Sequence, residues 1–107
     1  MLFRSPRATG TQIENNDRVV ITEWRFAPGA ETGWHVHSMD YVVVYRTAAS
    51  HLVESKEGTK AVSLVEGQSY FRAAGVEHNV INAGTNEIVL VETEIKAQAA
   101  VAQPRTA

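Results

Sequence analysis

Cysteine is absent from the chain, which excludes disulfides and thiolate metal sites and leaves nitrogen and oxygen as the only donors for an ion. No apolar run approaches membrane-spanning length, and the first ten residues contain no continuous apolar segment of the kind a secretory leader carries. Segments with helical periodicity of convincing length are missing as well. Nor does one sign of charge dominate. Ten basic against twelve acidic residues leave a formal net charge of −2, with the basic groups scattered. That balance provides no electrostatic footprint for nucleic acid or an anionic membrane. The expectation is a cytoplasmic protein with neither as partner.

What remains is ordinary in bulk and informative in order. The 107 residues suffice for one domain with one core and not for two. Residues 1–17 carry Pro6, Gly10 and mixed polar groups without periodicity, and read as an arm, either paired at a sheet edge or loose. The run 18–26 is rich in β-branched and aromatic residues and closes on the turn pair Pro28-Gly29, as a strand would. A second strand begins at the histidines and continues to Tyr45. Further strands are expected at 51–55 and 60–65 around a hairpin turn at 56–59, then at 69–72, 78–82 and 87–96. The residues from 97 to 107 read as a frayed tail. About eight short strands separated by turns predict an all-β sandwich or closed barrel spanning 18–96.

Within this plan the stretch Gly29-Ala-Glu-Thr-Gly-Trp-His-Val-His-Ser-Met-Asp-Tyr-Val-Val-Val-Tyr45 stands out. Side chains alternate faces along a strand, so His35 and His37 point the same way. Two imidazoles on one face form half a metal site, or a solvated outer face that happens to carry two histidines. The spacing does not choose between them.

Two blocks of the sequence resemble the cupin pattern. The first family block is Gly, five residues, His-x-His, three or four residues, Glu, six residues, Gly. Gly29, His35 and His37 match it, whereas Tyr41 or Val42 stands in the glutamate position and Ala48 in that of the closing glycine. The second is Gly, five residues, Pro-x-Gly, two residues, His, three residues, Asn; Gly67, Gly75, His78 and Asn82 match, with Ala73 replacing proline. Runs such as 18–29, 76–83 and 91–96 resemble, more narrowly, the small bacterial cupins known as β-alanine degradation proteins. The resemblance implies a single-domain double-stranded β-helix, a jelly-roll barrel or sandwich, in which His78 crosses to meet His35 and His37.

That resemblance implies one divalent transition metal (iron, nickel, zinc, manganese or copper) on His35, His37 and His78, with Tyr41 lining the pocket where a glutamate is usual. Three neutral imidazoles leave the ion's charge uncompensated, which favours a small anionic ligand such as a carboxylate. Two function classes follow: a metalloenzyme acting on a small organic acid, dioxygenase-, isomerase- or hydrolase-like, with Tyr41 as its catalytic side chain, or a binding or sensing cupin without turnover. Of the other polar groups, Asp40 has the opposite parity from the histidines and is expected outside. Glu92 and Glu94 share a face and are expected in solvent, though either could replace the missing carboxylate. His51 reads as surface, and Asn82 as the maker of a turn or ladder hydrogen bond. Trp34, Val36, Val42 and Val44 are expected outward, with Trp24 and Phe26 a similar pair, and so many exposed apolar groups predict a homodimer.

Overall fold

The computed structural model describes residues 5–97; the tail predicted at 97–107 falls, but for Ala97, outside them. Runs of Val, Ile, Thr and aromatic residues between glycine-bearing turns form nine strands: β1 (Thr9–Asn15), β2 (Val19–Phe26), β3 (His35–Val36), β4 (Asp40–Tyr45), β5 (Ala49–Ser55), β6 (Gly58–Leu64), β7 (Ser69–Arg72), β8 (Glu77–Asn82) and β9 (Ile88–Ile95). They pair into a five-stranded sheet in the order β1-β2-β9-β4-β7 and a four-stranded sheet in the order β3-β8-β5-β6. Every named pairing is antiparallel. The result is the all-β jelly roll, with the arm's β1 laid along β2 at the sheet edge.

Phe26, Tyr41, Val43, Tyr45, Ile88 and Leu90 from the larger sheet meet Ala49 and Leu64 from the smaller one to form the core. Asn82 sits among them, fully buried. Its amide donates to the carbonyls of Phe26 (3.1 Å) and Asn86 (2.9 Å), and its oxygen accepts from Gly84 N–H (2.9 Å). Those bonds are the turn-making role expected of it.

Four expectations need correction. The histidine run and the Tyr41–Tyr45 run are separate strands in different sheets, because the chain must cross from one layer to the other at Ser38-Met39. Asp40 marks the crossing from outside, accepting Ala74 N–H at 2.8 Å. His51 is 2% exposed rather than on the surface; β5 turns it inward against the edges of Phe26 and Tyr45. Trp24 and Phe26 face inward too: Phe26 is core, and Trp24 lines the cavity described below. Within β2 these two alternate with the charged Glu23 and Arg25, so the strand's own pattern favoured the inward face against the outward expectation. Glu92 and Glu94 likewise lie on the inner face of β9, lining the same cavity.

Candidate metal centre

β3 and β8 are antiparallel neighbours in which His35 stands directly opposite His78. Just past β3, His37 is tied to the loop before β8 by two backbone bonds: its N–H donates to Val76 O (2.8 Å), and Gly75 N–H donates to its carbonyl (2.8 Å). Gly75 holds a φ of 105°, in the left-handed region that favours glycine. The second sequence block therefore delivers His78 by way of a turn clamped to the first.

The three rings meet at their Nε2 atoms. His35 Nε2 lies 3.0 Å from His37 Nε2, which lies 3.2 Å from His78 Nε2. One nitrogen from each ring falls within 4.8 Å of the others. Two donors about 2.1 Å from one ion and 90–110° apart would stand about 3.0–3.4 Å from each other, so these spacings suit ligation. The hydrogen-bond inventory points the same way. His37 Nε2 can carry only one hydrogen and can satisfy only one of its two neighbours, whereas a shared cation would satisfy all three lone pairs.

The tautomer of His35 is set from behind. Its Nδ1–H donates to Gly33 O at 2.8 Å, leaving Nε2 with its lone pair forward. Gly33 is itself pinned, its N–H donating to Asn79 Oδ1 (2.8 Å) while Asn79 Nδ2 donates to Glu54 (2.9 Å). Burial, with His35 adding to it, holds His37 and His78 at about 4, below the usual 6.5. Both rings are thus neutral at physiological pH, the form a metal ligand needs.

Tyr41 extends the site. Its ring stacks on that of His37, with centroids 3.9 Å apart and planes 15° from parallel. It is 2% exposed, and its hydroxyl has no hydrogen-bond partner among the described residues. Burial first, then Tyr70, push the phenol well above its ordinary range, so it keeps its proton.

These groups open onto a cavity of about 280 Å³. Its far wall holds the residues that sequence reasoning placed in solvent. Glu92, with 14% of its side chain exposed, accepts Trp24 Nε1–H at 3.3 Å and brings Oε2 to 4.0 Å from His37 Nδ1. It approaches His37 from Nδ1, whereas the other two rings meet that ring at Nε2. Burial and the neighbouring Glu94 raise its carboxyl above the usual range, Trp24 opposing them. The register that sets Tyr41 opposite Glu94 and Val43 opposite Glu92 was the missing signal. No helix among the described residues is long and apolar enough to cross a membrane.

No family model matches the chain. It is 59% identical over 91 residues, covering 85% of its own length and 96% of the relative's, to the β-alanine degradation protein BauB of Pseudomonas aeruginosa. A cupin domain of known structure from Bordetella pertussis is 55% identical and superposes with a TM-score of 0.86, covering 89% of this chain and 99% of that one. The polyketide cyclase RemF of Streptomyces resistomycificus shares the fold at 18% identity and a TM-score of 0.68, over 87% of this chain and 70% of its own. The chain therefore belongs to the cupins, in the family of small single-domain members that includes BauB.

Proposed function

We propose that this chain is a metal-dependent cupin that holds one divalent transition ion on His35, His37 and His78 and acts on a small carboxylate in the breakdown of β-alanine-type compounds. The convergence of three Nε2 atoms, one with its tautomer set by Gly33, carries the metal reading. The metabolic setting comes from the 59% identity to the β-alanine degradation protein. When bound, such an ion supplies Lewis-acid or water-activating chemistry or, if iron, oxygen chemistry.

The chain's own residues would do the rest. The imidazoles present neutral nitrogens and contribute no compensating charge, so a ligand carboxylate is drawn to that end of the cavity. Tyr41, protonated and buried beside His37, can donate its O–H to a bound ligand. Apolar side chains in the wall, such as Val43, Val80 and Leu90, lower the local dielectric and strengthen both interactions. A binding or sensing cupin without turnover is the second reading. It is favoured by Tyr41, whose high pKa suits a hydrogen-bond donor better than a general base.

Elemental analysis of protein purified without a histidine tag tests the metal reading; less than one-tenth of an equivalent of transition metal per chain after anaerobic isolation and reloading would sink it. Oxygen uptake by iron-loaded protein over a panel of small acids then separates an oxygen-using enzyme from a binding protein.

A second copy as partner belongs to the same proposal. The register places Ile21, Val42, Val44, Phe71, Val91 and Ile95 on the outer face of the five-stranded sheet. Phe71 is 56% and Val44 41% exposed. An apolar face of one sheet is self-complementary under a two-fold axis, which suits an isologous dimer.

A further inference from the structure

Two carboxylates project from β9 into one cavity, and among the described residues neither forms an ion pair with an arginine. Glu92 receives the Trp24 N–H and stands 4.0 Å from a neutral imidazole; Glu94 lines the same wall, across the register from Tyr41. Two like charges sharing a desolvated site are unfavourable without a positive group between them. Arg72, the other register neighbour of Tyr41, lies 5.8 Å from the Tyr70 ring centroid, and its charge also acts on Tyr41 and His78; it forms no ion pair with Glu92 or Glu94.

A second observation comes from a different side chain. Tyr41 lines the cavity and is 2% exposed; its hydroxyl is buried without a hydrogen-bond partner among the described residues, with Arg72 and Glu92 acting on it in opposite senses. It has both a lone pair and a hydrogen to offer a ligand. Trp24, Tyr45 and Tyr70 supply aromatic surface around it, and ring faces attract cations. The two carboxylates and the aromatic faces together form a seat for a positive group.

We propose that this wall seats a ligand ammonium group, so that the cavity takes a short zwitterionic amino acid, its carboxylate toward His35, His37 and His78 and its ammonium among Glu92, Glu94 and Tyr41. The carboxylate end rests on the three-histidine reading above; the ammonium end does not. A cavity of about 280 Å³ has ample room for such a molecule. The ammonium also accounts for the tolerance of two carboxylates beside a site that would otherwise favour a simple anion.

The test is an NMR shift titration of the full chain, zinc-loaded and metal-free, with three probes: β-alanine, propionate and n-propylammonium. Zinc-loaded protein should bind β-alanine at least about tenfold more tightly than propionate. n-Propylammonium should bind both forms. The Glu92→Gln, Glu94→Gln double variant should lose at least about tenfold for n-propylammonium and β-alanine and nothing for propionate. The single variant Glu94→Gln should show a partial loss and serves if the double variant unfolds. Binding of n-propylammonium that is lost in the variant, with no propionate binding to loaded protein, would remove the metal-bound carboxylate and leave the ammonium seat standing. Propionate binding as tightly as β-alanine, or variants that bind n-propylammonium like the parent, would overturn the seat whatever the metal does.

Discussion

The ring of His37 lies flat on the ring of Tyr41, with centroids 3.9 Å apart. The contact joins the two sheets at the three-histidine cluster, since Tyr41 belongs to β4 of the larger sheet and His37 follows β3 of the smaller. It also fixes how His37 can turn. With one face covered by a buried phenol and its backbone clamped to residues 75 and 76, the ring presents Nε2 to the other histidines and Nδ1 to Glu92.

Removing one ligand should therefore empty the site without unfolding the chain. His37→Ala and His78→Ala are each expected to reduce bound metal from about one equivalent to below about one-tenth, read by elemental analysis after reloading. Circular dichroism should stay that of a β protein. Retention of metal at parental affinity by the double variant His35→Ala, His78→Ala would show that the ion, if any, sits elsewhere.

Tyr41→Phe keeps the stacked ring and removes only a hydroxyl that has no partner among the described residues. Stability should change by less than about 1 kcal/mol, and metal stoichiometry should be unchanged. A tenfold or greater weakening of metal affinity in a competition titration would make the phenol oxygen a ligand instead.

The pH dependence has a defined sign. His37 and His78 are held at about 4 in the folded protein against 6.5 unfolded. Between those values the unfolded chain binds more protons, so stability of metal-free protein falls as pH drops from about 6.5 toward 4. The loss is complete below about 4. A fall in melting temperature of at least about 5 °C between pH 7 and 4.5 is expected. A variant with asparagine at both positions should show a shallower slope. Bound metal should resist acid to below pH 6.5, the ordinary histidine value.

The outer sheet face can be tested by charge. Val44→Asp with Phe71→Asp places two carboxylates on the proposed dimer surface. The parent should behave as a dimer and the variant as a monomer by light scattering at micromolar concentration. A monomeric parent removes the second copy from the proposal.

Asn82 gives the clearest stability prediction. Its side chain is fully buried and bonds Phe26 O, Asn86 O and Gly84 N–H. Asn82→Ala leaves these groups without their partner and should cost about 2–5 kcal/mol, measured by denaturant unfolding of metal-free protein.

Much of this was written in local pattern. The period of two marked the strands to within a residue or two over most of the described chain, 69–72 without error. It also put His35 and His37 on one face, a relation that survives although the strand predicted to run on to Tyr45 breaks after Val36. Spacing within two glycine-bearing blocks, through the family resemblance, indicated that His78 would join them, and the paired register of His35 and His78 bears that out. Which face of a strand turns inward was a different matter. On β9 the set Leu90, Glu92, Glu94 alternates with Val91, Thr93, Ile95, and hydropathy favours the second as core. The fold buries the first, because β9 is hydrogen-bonded between β2 and β4 and must present the parity that faces the smaller sheet. His51 went inward for the same reason. Period is a property of neighbouring residues, whereas the choice of face depends on registers between distant strands, and it was those registers that brought Glu92, Glu94 and Tyr41 to one cavity.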